Sequence, residues 1–390
     1  MKNDFLMVKD NRKRLFEMMG RVAGMSLNEV GTLPPGFKDS DITTLEDFVN
    51  SPCLSEDKTG VQMQPADLRK IIDKRKSGDA RDREDPYIHN KTIEIVDKDG
   101  KAIDRDWLAN QLKQRPPTLL GTNEKVGKTG VLKISLPAYK GLYYDELEGD
   151  FKIVDTCQNA GDCKAFCYQQ KGRSVMYDNA VLSKTRILNF LLNHWEDFRY
   201  KLIDEIEVAK LSNDKKGMKT IVRWHDSGDF LSEKYLGLAM EIARRTPDVL
   251  HYAYTKMVSF AKGADVPENF IFRYSIDPTA PETHLIDKLK DKYADVIPKF
   301  MFKDLTHTRT ITTKNGNKNI WYFNSPEALR ELKLRMSKFY DVDLNTILSF
   351  HEMSEIPEEG INKWSVIVMP SDADTAAHRK DVHGVYLLIH

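Results

Sequence analysis

The sequence predicts an α/β protein whose parallel sheet forms a (β/α) barrel or partial barrel, with an appended N-terminal subdomain. Two observations support this prediction. From residue 131 onward, short apolar runs alternate with stretches of helical periodicity, which is the pattern of βα units. Most of the apolar runs end in a polar cluster, and parallel strands gather reactive groups at their carboxyl ends. We expect the subdomain over residues 1–125 and the barrel-like domain over residues 126–390.

The first 125 residues show no repeat of strand and helix. Helical spacing over residues 12–25 is followed by Pro34-Pro35-Gly36 and by a densely charged run over residues 69–85. A strand that begins at Lys91 enters a turn at Asp99-Gly100, a dipeptide typical of hairpins. These features predict an irregular subdomain.

The elements of the second region follow in a regular order. The first strand ends at Pro137, and a cysteine-containing loop comes after it. Leucines and aromatic residues at helical spacing predict a long amphipathic helix next. A later helix begins at Ser232, a favourable N-cap residue. The strands are predicted at 131–136, 219–224, 250–254 and 270–276, and the helices at about 178–211 and 232–245.

Composition narrows the class of protein. Lys plus Arg and Asp plus Glu both number 59 in the 390 residues, so a broad cationic surface for nucleic acid is not expected, although local patches remain possible. No apolar stretch approaches the length of a membrane span, and the N-terminus has no apolar signal segment. Four cysteines are too few for a disulfide scaffold. We therefore expect a cytoplasmic protein that does not enter a membrane.

Three of the four cysteines lie within eleven residues, as Cys157-x5-Cys163-x3-Cys167, whereas Cys53 lies more than a hundred residues away. Thiolates this close can converge on one metal ion or cluster. Three protein thiolates also leave a coordination position open for a reacting ligand. The sequence predicts a metal site on these three cysteines, and both an iron–sulfur cluster and zinc are open.

Polar residues at the strand ends are the other candidates. Two carboxylates with a glycine between them, at a junction of strand and helix, are costly to bury without a partner. A histidine precedes them, and His251 begins the next strand; either histidine is a candidate metal ligand or proton carrier. The predicted catalytic residues are His225, Asp226, Asp229, Lys256 and Asp277.

The order of these motifs resembles the radical SAM barrel. In that family a three-cysteine loop after the first strand holds a 4Fe–4S cluster, and a Gly-Gly-Glu-like motif after the second strand holds S-adenosylmethionine. The resemblance implies that Cys157, Cys163 and Cys167 ligate three irons and leave the fourth iron to S-adenosylmethionine. Gly228 and Asp229 would then lie near its methionine end. Tyr168 and Ser275 are the other candidates for cofactor binding.

Two further resemblances concern phage proteins and base exchange. The chain as a whole resembles a phage-encoded family known as gene product 88, through residues 136–141, Cys167-Tyr168, residues 225–230 and residues 372–384. The segment Asp226-Ser-Gly-Asp-Phe is also similar to a segment of guanine transglycosylases. These barrel enzymes exchange a base by means of one nucleophilic carboxylate and one general acid/base. The similarity implies that Asp226 matches the motif aspartate, that Asp277 is the nucleophile, and that zinc has moved to the cysteine loop.

The sequence therefore predicts an enzyme that modifies a nucleobase or nucleotide, with phage-type DNA modification as the expected setting in the host cytoplasm. Arg223, Lys256 and Arg273 lie on or at the ends of predicted strands, where they would meet phosphate. The first alternative is a DNA guanine transglycosylase that inserts a 7-deazaguanine base. The second alternative is a binding module without catalytic activity that zinc holds together.

Overall fold

A computed structural model of the chain describes residues 88–89, 95, 102–122, 129–161, 163, 167, 169, 178–313, 316–361, 365–368 and 376–388. Contacts divide these residues between two compact units. The first unit contains the described residues up to Ser275 together with Ala280–Tyr293, and the second contains Ile276–Thr279 and the described residues from Ala294 onward.

The first unit contains two sheets and five helices among its described residues. Its strands are β1 (Ile88–His89), β2 (Leu120–Gly121), β3 (Val131–Ser135), β4 (Lys140–Asp145), β5 (Asp150–Asp155), β6 (Ile221–Ser227), β7 (Leu250–Thr255) and β8 (Phe270–Ser275). Its helices are α1 (Arg105–Leu112), α2 (Asp178–Asn193), α3 (Trp195–Asp214), α4 (Glu233–Arg245) and α5 (Val258–Lys262), with a 3₁₀ turn over Thr283–Leu285.

The main sheet of the first unit has the strand order β8-β7-β6-β3-β2. Strands β3, β6, β7 and β8 are parallel, and β2 pairs antiparallel with β3. The small sheet, in the order β1-β5-β4, is antiparallel throughout. The β4–β5 hairpin, which the sequence analysis did not predict, lies in the chain between β3 and the cysteine loop, so the cysteines come after the first parallel strand but do not follow it directly.

One face of the main sheet is apolar. Alternation along the strands places Ile134, Trp224 and Ala253 on this face, where they belong to one buried cluster. Helix α4 contributes to the same cluster because its apolar residues recur at helical spacing, and Ser232 begins it by accepting a hydrogen bond from the Tyr235 amide (3.2 Å). Helix α3 adds Phe198, Leu202 and Ile206.

The opposite face of the sheet is polar toward the carboxyl ends of its strands, and these polar side chains are largely buried. Lys133 pairs in register with Arg223 on the neighbouring strand, and Tyr254 pairs with Arg273. The Arg223 guanidinium lies 5.3 Å from the centre of the Tyr254 ring, which confirms that these side chains share a face. Arg273 is fully buried. The sheet therefore has an apolar core on one face and a buried cluster of cationic side chains on the other.

The second unit contains strands β10 (Thr306–Thr313), β11 (Gly316–Phe323), β12 (Ile347–Ser349), β13 (Ser365–Val368) and β14 (Gly384–Leu388), and all of β9 (Tyr293–Ile297) except its first residue. Its helices are α6 (Pro326–Tyr340) and α7 (Phe350–Ser354), with 3₁₀ turns over Lys299–Met301 and Leu344–Thr346. Strands β12, β13 and β14 are parallel neighbours, and β10 and β11 form an antiparallel hairpin. A capping box between Ser349 and Glu352 fixes the start of α7.

The predicted α/β class, with a mostly parallel sheet and flanking helices, is confirmed. Within the described part of the chain the strands do not close into a barrel, and barrel closure stays a prediction. The boundary near residue 125 also stays a prediction, since most of residues 1–125 lies outside the described residues. None of the described helices combines the length and apolar character needed to cross a bilayer.

The single helix predicted over 178–211 is wrong in one respect, because the structure has two helices there. Helix α2 ends at Asn193 and α3 begins at Trp195. His194 between them has a non-helical backbone (φ −129°, ψ 56°). Its amide donates to the Phe190 carbonyl (2.9 Å) and its carbonyl accepts from the Phe198 amide (2.8 Å), so both helices keep their hydrogen bonds across the break.

Candidate functional site

Several predicted site residues of the first unit lie where β3, β6 and β7 end: His225, Asp226, Gly228, Asp229 and Lys256. Strand β6 ends in a bulge: Ile134 pairs with Trp224, but the next residue of β3, Ser135, pairs with Ser227. His225 and Asp226 are therefore extra residues in β6. Bulges occur next to active sites because they redirect side chains. This bulge brings Asp226 to the polar face, where it meets Lys133 and Arg223.

Gly228 turns the chain immediately after β6. Its backbone is left-handed (φ +82°), and a Cβ atom here would lie 2.8 Å from the Cβ of Leu136. Glycine is required on both counts, since other residues adopt this conformation only with strain and none has space for its Cβ. The turn delivers Asp229 to the strand ends.

Asp229 is held by groups from two strand ends. Its carboxylate accepts hydrogen bonds from the Thr255 hydroxyl (2.7 Å), the Lys256 amide (2.9 Å) and the Phe230 amide (2.8 Å). Burial raises the pKa of Asp229 to about 6, against the lowering effect of these bonds. A carboxyl group with this pKa can take up and release a proton near neutral pH.

The cysteine loop is fastened to the same strand ends. The Asp229 amide donates to the Thr156 carbonyl (2.7 Å), and the Gln158 side chain donates to the Leu231 carbonyl (2.9 Å). The Lys256 ammonium donates to the Ala160 carbonyl (3.0 Å). The start of the loop is thus fixed against the residues that follow β6 and β7.

Cys157 lies at the centre of these contacts. Its sulfur accepts a hydrogen bond from the Tyr139 amide (3.4 Å), and Tyr139 has a left-handed backbone (φ 67°). Such strain in a residue other than glycine is concentrated at functional sites. Burial, with smaller contributions from the charges of Asp229, Cys167 and Asp155, raises the pKa of Cys157 to about 12, against the lowering effect of the Tyr139 amide. Cys157, Cys167 and Asp229 are therefore electrostatic neighbours.

The three cysteines belong to the residue type that binds zinc or an iron–sulfur cluster, but their described positions do not bring them together as a ligand set. Cys157, Cys163 and Cys167 are partly buried thiols that form no disulfide, and the Cys163 amide donates to the Ala160 carbonyl (3.1 Å) within the loop. An amide that donates to sulfur, as Tyr139 does, also stabilises a thiolate. Among the described residues, no three His, Cys, Asp or Glu side chains converge on one point as metal ligands.

Asp226 lies in a cluster of cations. Its carboxylate pairs with the Lys133 ammonium and lies 3.8 Å from the Arg223 guanidinium. The Gln169 amide is 3.4 Å from the same carboxylate, and Lys184 donates to the Gln169 carbonyl oxygen (2.6 Å). Burial raises the pKa of Asp226, but Arg223 and Lys133 outweigh burial and lower the pKa below its usual value. Asp226 is therefore a fixed anion.

His225 is buried, at 3% exposure, beside Tyr235. Its Nε2 lies 2.8 Å from the Tyr235 hydroxyl, while no described residue hydrogen-bonds to its Nδ1. Burial lowers the pKa of His225 to about 3, and the charge of Arg223 adds to this lowering. His225 is thus a neutral imidazole with one ring nitrogen left for a proton or a ligand.

His251, in contrast, has a structural role in the core. The Trp224 indole donates to its Nδ1 (3.1 Å), its Nε2 lies 2.9 Å from the Thr246 hydroxyl, and that hydroxyl donates to the Ile242 carbonyl (2.9 Å). Both ring nitrogens are therefore engaged inside the core. Burial lowers the pKa of His251 to about 3, which keeps the ring neutral at physiological pH.

The remaining predicted residues are placed as follows. Lys256 belongs to the site through its amide and its ammonium. Ser275 ends β8 and is partly buried. Asp277 belongs to the second unit, where its carboxylate accepts from the amide (3.0 Å) and hydroxyl (2.7 Å) of Thr279. Tyr168 lies outside the described residues.

Several site residues were not predicted from the sequence. Lys133, Gln169 and Lys184 surround Asp226, and Tyr139 contacts Cys157. Lys133 had a detectable signal, since it is a charged residue within the otherwise apolar strand Val131–Ser135. The other three carry no pattern of their own, because only the folded chain brings them to the site.

Comparison with known families gives one match. The model of a phage-associated family, described as gene product 88, matches residues 110–333, which is more than half of the chain. No curated protein matches the chain, and no solved structure matches it. The matched range contains the whole of the site in the first unit.

Proposed function

The chain belongs to the gene product 88 family, and we propose that it is a radical SAM-like enzyme that modifies a nucleobase or nucleotide. Cys157, Cys163 and Cys167 would hold the metal or 4Fe–4S cluster. One observation carries the proposal: bonds to Asp229 and Lys256 fasten the cysteine loop to the ends of β6 and β7. The start of the cysteine loop therefore lies against the strand-end groups, in the chain order that radical SAM barrels have, which supports one shared site.

The buried polar face supports the finer proposal of a barrel or partial barrel. A sheet with one solvated face would expose Arg223 and Arg273, yet Arg273 is fully buried and the Arg223 side chain is only 16% exposed. In a parallel barrel this face is the interior, and the active site opens at its carboxyl end. The site described above lies at that end of the strands.

Residues of the chain have distinct roles in the proposed reaction. When bound, an iron–sulfur cluster supplies an electron for reductive cleavage of S-adenosylmethionine. Gly228 brings the backbone close to Leu136 and positions Asp229. Asp229 exchanges a proton near neutral pH, and Thr255 and the Lys256 amide fix its orientation. His225 stays neutral beside them.

The proposed substrate follows from charge and from the family. Arg223, Lys133 and Lys184 make this part of the site cationic, which suits the phosphate of a nucleotide. The family is phage-associated, and phages modify the bases of their DNA. We therefore place the reaction in DNA modification in the host cytoplasm. Neutral net charge favours a local groove over a broad nucleic-acid surface.

A guanine transglycosylase-like reaction is the second candidate. The observation that favours it is that Asp226, the aspartate of the transglycosylase-like segment, lies at the end of β6, where Lys133 and Arg223 keep it ionised. In this version zinc occupies the cysteine loop, and Asp226, the aspartate of the transglycosylase-like segment, acts on the base when a 7-deazaguanine is inserted. If the loop holds zinc and no reaction is found, the chain is a binding module.

Anaerobic purification with elemental analysis tests the proposal. We expect the purified chain to contain iron and sulfide and to show a brown absorbance. The variant in which Cys157, Cys163 and Cys167 are alanine should lose the iron, the sulfide and the absorbance. Cys53→Ala is the matched control and should keep the iron. Stoichiometric zinc would favour the transglycosylase or the binding module, and a protein without any metal would refute the cysteine site.

The reaction is tested separately. Under reducing conditions with S-adenosylmethionine, we expect the purified protein to release the cleaved cofactor, and the triple alanine variant to release none. Nucleoside mass spectrometry of DNA from expressing cells, with and without 7-deazaguanine precursors, distinguishes the two chemistries. Base exchange requires the precursor and does not require S-adenosylmethionine. Unchanged DNA together with intact cofactor would refute both reactions.

A further inference from the structure

Strands β10 and β11 form a two-stranded ribbon that no other strand of the described residues extends. All eight residues of each strand pair in register, from Thr306 opposite Phe323 to Thr313 opposite Gly316. At the usual rise of a strand, the ribbon is roughly 26 Å long. A two-stranded ribbon by itself is only marginally stable in water, so its stability depends on what holds its base.

The base of the ribbon is fixed to the second unit. The Asn324 amide donates to the Leu305 carbonyl (2.9 Å), and the Asn324 side chain donates to the Asp304 carbonyl (2.9 Å). The Asp304 carboxylate accepts hydrogen bonds from the Arg335 guanidinium of α6 (2.8 and 3.0 Å). Leu305 and Thr306 are buried at this end. Hydrogen bonds and burial therefore anchor the ribbon at one end.

The far half of the ribbon is not built as part of an apolar core. Among residues 310–319 only Ile311 is apolar, and the others are threonine, asparagine, lysine and glycine. A strand pair that covers a core has an apolar residue at every second position. Threonine and asparagine offer hydrogen-bond donors and acceptors, and threonine also favours the extended backbone. The composition therefore suits a polar partner.

The ribbon is also cationic, although the chain as a whole is neutral. No Asp or Glu occurs over residues 305–326, where about three would be expected at the frequency of the whole chain, and the same stretch contains one arginine and two lysines. Arg309 and Ile311 share one face of β10, and Lys318 lies opposite Ile311, so both cations belong to that face. Cations without neighbouring carboxylates in the sequence favour a polyanionic partner.

Duplex DNA has the charge and the shape that this ribbon fits. The major groove of B-form DNA is about 12 Å wide and admits a two-stranded β-ribbon, whereas the major groove of duplex RNA is deep and narrow. Phosphates border the groove and attract cations. Asparagine pairs with adenine, and threonine contacts the methyl group of thymine. Shape, charge and residue type therefore favour the same partner.

We propose that the β10–β11 ribbon binds duplex DNA in the major groove, with Arg309 and Lys318 neutralising phosphates at the border of the groove. The inference rests on the proposed function and deepens it, since it identifies the substrate as a base within a DNA duplex and not a free nucleotide. Binding itself requires neither metal nor turnover, so it can be measured apart from the reaction.

The test is fluorescence anisotropy of the purified full chain with a labelled DNA duplex, its single strand and an RNA duplex of the same sequence, at several salt concentrations. We expect the DNA duplex to bind most tightly. The variant with Arg309→Thr and Lys318→Thr keeps residue types that favour strands. It should bind the duplex about 10- to 100-fold more weakly, since one phosphate contact is worth about tenfold. Its slope of log affinity against log salt should fall in magnitude by about 2.

A matched control removes the same charges elsewhere in the second unit. Arg330 and Lys338 are exposed residues of α6, and Arg330→Gln with Lys338→Gln should leave both the affinity and the salt slope unchanged. Arg309→Lys with Lys318→Arg keeps both charges and should retain the salt slope of the original chain. The thermal midpoint of each variant shows whether it is folded. If the double threonine variant unfolds, Arg309→Thr and Lys318→Thr alone provide the comparison, and each should lower the slope by about 1.

The measurements separate the possible outcomes. The proposal would be overturned by no DNA binding, by an RNA duplex or a single strand that binds as tightly as the DNA duplex, or by equal affinity in the original chain and the threonine variants. An equal loss of affinity in the control on α6 would also overturn it. DNA binding through the ribbon, in a chain without iron or cofactor cleavage, would leave the ribbon standing and refute only the radical SAM-like reaction. Cofactor cleavage without DNA binding would refute the ribbon and leave the reaction to a free nucleotide.

Discussion

Replacing Gly228 with alanine should lower the free energy of unfolding by about 2–4 kcal/mol, for two separable reasons. The left-handed backbone, at φ +82°, costs a residue with a Cβ about 1–2 kcal/mol. The new Cβ would also lie 2.8 Å from the Cβ of Leu136, an atom fixed to the backbone, and such overpacking costs about 1–3 kcal/mol. The lower entropy of the unfolded alanine chain returns about 0.4–1 kcal/mol.

Gly217→Ala isolates the backbone contribution. Gly217 is also left-handed (φ +66°), but a Cβ atom added there would meet no atom of the described residues within 4 Å. We expect this variant to lose only about 0.5–1 kcal/mol, because strain acts without a clash. Urea denaturation of both variants at one pH gives the two free energies.

Gly228→Ala should alter the candidate site, whereas Gly217→Ala should not. Gly228 precedes Asp229, whose amide holds the Thr156 carbonyl next to Cys157. Alanine at 228 should therefore raise the rate at which a thiol reagent modifies Cys157, whereas alanine at 217 should not. Equal stability losses in the two variants would refute the packing argument, and unchanged thiol reactivity in Gly228→Ala would refute the link to the cysteine loop.

Two other predictions concern charge. The folded chain keeps His225 and His251 neutral, with a pKa of about 3 against an ordinary 6.5, so their contribution to stability is present above pH 6.5 and is lost as pH falls toward 3. Asp229 has the opposite effect. Because its pKa is about 6 in the folded chain against an ordinary 3.8, it contributes stability below pH 3.8, and this contribution is lost as pH rises through 6. Between pH 6 and 4 the two histidines and Asp229 together should lower the free energy of unfolding by about 1.4 kcal/mol per pH unit, and Asp229→Asn should raise this slope to about 2.7 kcal/mol per pH unit. Urea titrations at several pH values measure the slope, and an unchanged slope in the variant would contradict the prediction. Asp226→Asn should lower the free energy of unfolding by about 3 kcal/mol, because it removes one partner of a poorly exposed ion pair with Lys133; an unchanged free energy of unfolding in urea would contradict this.

The elements of the fold were largely predictable because their signals are local. Alternation and apolar runs predict β3, β6, β7 and β8 within a few residues of their observed bounds. The break at His194 was not predictable in this way, because apolar residues continue at helical spacing across it. Such a break depends on how the two helices pack, and periodicity does not record packing.

The candidate site, too, could be predicted only where its signals are local in the sequence. The cysteine motif and the carboxylates after β6 are visible because unusual residue types lie close together in the chain. Lys133 and Lys184 meet Asp226 only through strand register and through the placement of α2, and a single sequence contains neither. The bulge at His225 and Asp226 was equally hidden, although it determines which face of the sheet Asp226 occupies.

Two aspartates three residues apart have opposite electrostatic surroundings, and this contrast separates their chemistry. Asp226 faces Lys133 and Arg223, and these cations lower its pKa. Asp229 lies beyond the Gly228 turn, where its partners are amides and a hydroxyl, and burial raises its pKa to about 6. When neighbouring groups titrate in opposite directions, the raised one is suited to proton exchange and the lowered one to holding charge. Asp229, next to Cys157, is therefore the group to follow in the reaction, and Asp226 is the group to follow in binding.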